Sequence, residues 1–124
     1  MTSRERVRAA LGRRATDRAP IDFGGTTVTG IHPAAYARLK RHLGITGGAA
    51  RVFDVEGLAA EVEPPVVEAL GGDFLYCKRL NYRYGVPNRD WRPWTLPDGT
   101  AVEIAGGYEL SRRDGGTRIA REGV

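Results

Sequence analysis

The chain has 124 residues, a net charge of +4 and 41% hydrophobic residues, which bounds it to about one ordinary globular domain. Its single cysteine, Cys77, excludes an internal disulfide and a cysteine-cluster metal site, and no run of about eighteen apolar residues is present to span a membrane. The charge is uneven: six arginines lie among residues 1–18 against Glu5 and Asp17, and the remainder is balanced.

Residues 2–12 read as a helix. Thr2 and Glu5 stand at capping-box spacing, Val7, Ala10 and Leu11 form an i, i+3, i+4 stripe, and Gly12 is a natural stop. The stripe is too narrow for a membrane-surface helix, and the arginines read most simply as a solvated face.

Pro20 suits the first residue of a strand, and Ile21 and Phe23 alternate with Asp22 at strand period. Gly24-Gly25 ends that run, and the threonines up to Gly30 make a polar, permissive loop. A helix over 33–43 follows, started by Pro33, lined by Tyr36, Leu39 and Leu43 and ended by Gly44. Strand, glycine-rich loop and helix open a β/α unit, whose ligand groups gather after the strand's carboxyl end. Asp22 is thus a candidate catalytic or anchoring carboxylate, and Gly24, Gly25, Thr26 and His32 are candidate substrate contacts. A plainer role stands beside each: Asp22 as a cap for its own loop, His32 as a helix cap. His32 and His42 are too far apart to share a helix face, so no metal site is expected.

Arg51–Val55 alternates as a strand and brings Asp54 forward as a second candidate catalytic carboxylate. Residues 58–62 suggest a helical turn, 63–72 a short helix with proline at its start and glycine at its end, and 73–76 a further strand. Glu61, Glu63 and Glu68 read as a solvated face.

Beyond Cys77 the period changes. Trp91–Leu96 leads into the Pro97-Asp98-Gly99-Thr100 turn, Ala101–Ile104 and Tyr108–Leu110 alternate, and Asp114-Gly115-Gly116 turns the chain back into Thr117–Ala120. This predicts an antiparallel β-meander from Trp91 to Ala120. Trp91, Trp94 and Tyr108 are either stacking platforms for a nucleic acid or the packed face of the hairpin.

Taken in order, these pieces resemble the N-terminal portion of the uroporphyrinogen decarboxylase superfamily, in the branch that includes corrinoid-dependent methyltransferases. The residues that carry the likeness are Arg4-Glu5-Arg6-Val7-Arg8-Ala9-Ala10-Leu11, then Asp17-Arg18-Ala19-Pro20-Ile21-Asp22-Phe23-Gly24-Gly25-Thr26 and Gly30-Ile31-His32. Ala69-Leu70-Gly71-Gly72-Asp73-Phe74 and Trp91-Arg92-Pro93-Trp94-Thr95-Leu96-Pro97-Asp98-Gly99-Thr100 complete it. The resemblance implies an α/β fold: the N-terminal part of a (β/α)8 (TIM) barrel with an appended antiparallel β-hairpin or meander. On that reading residues 1–124 are a single partial domain, with the first β/α units in 1–76 and the meander in 77–124.

The function so implied is that of an N-terminal fragment of an enzyme that moves methyl groups in corrinoid or one-carbon metabolism. Uroporphyrinogen decarboxylation in tetrapyrrole biosynthesis is the alternative. The decarboxylases carry an arginine-rich loop after the first strand, and here that loop, Gly24–Thr29, has no basic residue. No cofactor is expected in this chain itself; zinc and a corrinoid partner would belong to the parent enzyme. The expected setting is cytoplasmic and without a membrane. The isolated chain is expected to be inactive and to self-associate through exposed sheet edges. A reading from another class is a small basic α+β domain that binds nucleic acid through the hairpin aromatics and the N-terminal arginines. A third is a truncated product without a ligand.

Overall fold

The computed structural model describes residues 1–121 and 123. Helix α1 spans Ser3–Leu11, and its first turn is closed by the reciprocal Thr2–Glu5 capping box. Helix α2, Pro33–His42, starts with proline at its first position, where no amide donor is needed. His32 Nδ1 accepts the Ala34 amide (3.2 Å), and Lys40, Arg41 and His42 complement the dipole in the last turn. Helix α3, Pro64–Ala69, is likewise started by proline.

Four strands form a mixed sheet in the order β2-β1-β4-β3: β1 is Ala50–Asp54, β2 Ala59–Ala60, β3 Arg92–Thr95 and β4 Ala101–Ile104. The pairs β1–β2 and β3–β4 are antiparallel, whereas β1 and β4 run parallel with Ala50 opposite Val102 and Val52 opposite Ile104. The β3–β4 hairpin closes at Pro97–Thr100, where Leu96 donates to the Thr100 carbonyl and Asp98 accepts the Thr100 amide. A separate two-stranded ribbon pairs β5, Tyr108–Arg113, with β6, Gly116–Arg121. Its tip, Asp114-Gly115, has positive φ at both residues, the backbone that matches strand twist in a two-residue turn.

The barrel expectation is overturned. The two sheets are small and open, and β1–β4 is the one parallel pairing among the described residues. Residues 21–23 and 73–76 join neither sheet. Ile21 and Asp73 exchange a single backbone bond (2.8 Å), with the Asp73 carboxylate on the Ile21 amide, and a lone pair without flanking strands does not build a ladder. The meander also differs: β4 leaves β5 and lies beside β1, so strands from residues 50–60 and 92–104 share one sheet. A side chain at Gly106 would meet the Asp90 carbonyl at 2.6 Å, and this tight Gly106-Gly107 corner carries the chain out of the sheet. The helical turn expected over 58–62 is instead β2, entered through Leu58 in the left-handed region (φ 47°).

Two apolar clusters hold these elements. The first joins Tyr36 and Ala34 of α2 with Val52, Ala60, Val66, Leu96 and Val102. The second lies about the carboxyl end of β1 and comprises Phe53, Ala59, Tyr82, Val86, Ile104, Ala105 and Tyr108. The sheet's outer strands are poor templates for pairing, since β2 has two residues and β3 carries Pro93. No helix among the described residues is long and apolar enough to cross a membrane.

Candidate functional site

The glycine-rich loop turns its polar groups on itself. Asp22 Oδ1 accepts the Gly25 amide (2.8 Å), Gly24 donates to the Thr29 carbonyl, and Thr26 donates its amide to Thr29 Oγ1 (3.0 Å). Gly24 has φ +83°, and a Cβ there would lie 2.4 Å from Val62 Cγ2; one at Gly25 would meet Asp22 Oδ1 at 2.5 Å and Phe74 Cβ at 2.9 Å. Close packing therefore requires both glycines, and their amides are engaged within the loop. Thr26 and His32 are exposed, and the Nδ1 of His32 serves as the α2 cap.

The loop reaches the second candidate carboxylate through Thr27. Thr27 shares a cavity of about 380 Å³ with Phe53 and Asp54 at the carboxyl end of β1. The opposite wall comes from the irregular segment after residue 75, through Tyr76, Arg79, Tyr82 and Arg83. Asp54 is brought into this cavity; Asp22, Gly24, Gly25, Thr26 and His32 are not among its lining residues.

Asp54 Oδ1 accepts the amides of Glu56 (3.1 Å) and Gly57 (3.3 Å), which holds the carboxylate at the strand's end. Glu56 in turn pairs with Arg83 (2.6 Å) and accepts the Tyr84 hydroxyl (3.1 Å), so the turn after β1 is tied to the opposite wall. Arg79 makes no ion pair among the described residues. Phe53 packs against Tyr76 (centroids 4.9 Å apart) and Tyr82 (6.2 Å), and Tyr82 meets Trp91 edge-on. The hydroxyls of Tyr76 and Tyr82 are buried without a hydrogen-bond partner among the described residues. Burial pushes both phenols above their ordinary range, so at neutral pH they stay protonated and able to donate.

A second, smaller cleft of about 220 Å³ lies at the other end of β1. There Arg51 stands between Glu61, which donates its amide to the Arg51 carbonyl, and Glu103, its partner in the parallel register. Arg51 Nε pairs with Glu103 (3.0 Å), Lys78 with Glu61, and Lys40 with Glu63 (2.6 Å). These charges are mutually compensated. No group of three His, Cys, Asp or Glu among the described residues is arranged to hold a metal ion.

The hairpin aromatics are engaged in packing. Tyr108 is buried and donates to the Arg83 carbonyl (3.3 Å), Arg51 lies over the Trp91 ring (4.9 Å), and Trp94 packs against both apolar clusters. The segments that carry the family resemblance meet elsewhere. Arg6 binds Asp17 (2.7 Å) and Asp73, and Arg18 binds Asp73 (2.7 Å) and the Gly71 carbonyl (2.8 Å).

Tyr76, Arg79, Tyr82 and Arg83 stand outside every site expected from the sequence. The one available signal was an aromatic and basic run at three-residue spacing in a segment with neither helical nor strand period. Comparison with family models, with curated proteins and with solved structures gave no match. The decarboxylase, methyltransferase, tetrapyrrole and corrinoid expectations thus draw no support from known proteins, and the barrel attached to them is absent.

Proposed function

We propose that this chain supplies a binding site for a small organic acid in the cavity at the carboxyl end of β1. The observation that carries this reading is a recess of about 380 Å³ lined by Arg79, which makes no ion pair among the described residues, beside Arg83 and Asp54. A guanidinium group binds a carboxylate through charge-assisted, paired hydrogen bonds. The aromatic lining from Phe53, Tyr76 and Tyr82 gives the rest of the molecule a surface to cover.

The enzyme class goes with the resemblance set out above. It suggests methyl transfer in one-carbon metabolism, with decarboxylation as the alternative, and makes this chain one part of such an enzyme. The arginine that the Gly24–Thr29 loop lacks is available from Arg79, which supports an acidic substrate under either reaction. The barrel is no part of this proposal.

Binding of 3-phenylpropionate, followed by NMR on the full chain, tests the site. Chemical shifts should move at residues 76–83, and Arg79→Ala should weaken binding at least about tenfold, as expected for a lost charged hydrogen bond. Binding that is unchanged in Arg79→Ala would remove the site from this cavity.

A further inference from the structure

We infer that the ligand of this cavity carries an ammonium or hydroxyl group beside its carboxylate, an inference that rests on the organic-acid site just proposed. The charges around the recess balance. Arg79 and Arg83 are positive, Asp54 lines the same space, and Glu56 neutralises Arg83 at 2.6 Å. A polyanion entering such a site would leave charge uncompensated, and its extra negative groups would lie close to Asp54. A molecule with separated positive and negative ends meets both halves.

Asp54 is built to serve the positive or donor end. Its Oδ1 is held by the amides of Glu56 and Gly57, while its Oδ2 makes no hydrogen bond among the described residues. The first oxygen fixes the carboxylate's orientation, and the second is left to accept from a ligand. Arg79, which makes no ion pair among the described residues, lines the same recess and can donate to the acid's oxygens. The chemical class is therefore an amino or hydroxy acid whose side chain packs on the aromatic lining of Phe53, Tyr76 and Tyr82.

Three probes that differ at one position separate the possibilities: 3-phenylpropionate, 3-phenyllactate and phenylalanine, each titrated into the full chain by calorimetry. Phenylalanine and 3-phenyllactate should bind at least about tenfold more tightly than 3-phenylpropionate, the ratio expected for one charge-assisted hydrogen bond. In Asp54→Asn, which keeps an oxygen for the two turn amides, that preference should shrink at least about tenfold. Equal affinity for the three probes in the unmodified chain overturns the inference and leaves the organic-acid site standing. Failure of all three probes to bind overturns both. The probe comparison needs no variant, so a misfolded Asp54→Asn would not blunt it.

Discussion

Arg6 and Asp73, 67 residues apart in sequence, form an ion pair in which both side chains are shielded from solvent. The pair fastens the first helix to the segment after α3, and Asp17 and Arg18 close the network on either side. It also places three separate stretches of the chain in one interaction: residues 4–11, 17–26 and 69–74. Asp73→Asn should therefore release α1 and lower Tm, with loss of helical circular dichroism and new amide exchange over residues 3–11. Unchanged protection of those amides would show that the Arg6–Asp17 pair and the burial of Ala9 hold α1 without Asp73.

The same network sets the acid limit of the fold. The Arg6 guanidinium holds the Asp17 carboxyl well below its usual range. Burial of Asp73 works against ionisation, but the Ile21 amide, the Ser3 hydroxyl and the Arg18 and Arg6 guanidiniums outweigh it and hold its carboxyl low as well. A carboxylate whose folded pKa is depressed contributes stability that is complete above its unfolded value, about 3.9, and is lost as pH falls towards the folded value. Thermal melts should be nearly flat in pH from 7 to about 5 and decline steeply below about 4. Asp73→Asn should decline less steeply; a slope equal to that of the unmodified chain would remove Asp73 from the acid transition.

Tyr36 is fully buried, donates its hydroxyl to Glu63 Oε2 and accepts the Glu63 amide, both at 2.9 Å. Tyr36→Phe keeps the ring in the core and leaves a backbone donor at the start of α3 without its acceptor. The expected loss is about 1–3 kcal/mol in urea unfolding, the cost of an orphaned, partly buried polar group. A neutral result would mean that water satisfies the Glu63 amide.

The two glycine classes give a matched comparison. Gly24→Ala must place a methyl against Val62 in a left-handed backbone and should cost about 2–4 kcal/mol. Gly44→Ala has a similar φ (+67°) with nothing within 4 Å, and should cost about 1–2 kcal/mol. Adding Val62→Ala should recover part of the Gly24→Ala loss. Strict additivity of the two substitutions would show that backbone strain, not overlap with Val62, governs the position.

Local signals in the chain sufficed for the parts that answer to local physics. Thr2 with Glu5, the prolines at 33 and 64, and the Pro97–Thr100 and Asp114-Gly115 turns each satisfy or fix backbone groups within a few residues. The three helices and both hairpins could therefore be placed from the sequence. Strand alternation says only that a segment can pair; it does not name the partner. The Ile21–Phe23 stretch has the period and finds no ladder, whereas β4 is drawn to β1 across about half the chain because Val102 and Ile104 complete apolar clusters there. The site divides in the same way. Asp54 was visible as the polar residue ending a strand, and Gly24-Gly25 as a backbone exception, yet only Val62 and Phe74, brought close by the fold, reveal that the glycines serve packing. Tyr76, Arg79 and Tyr82 lie outside any helix or strand and Arg83 opens a single 3₁₀ turn; Tyr76, Tyr82 and Arg83 are positioned by Phe53, Trp91 and Glu56, distant partners that no local period can announce.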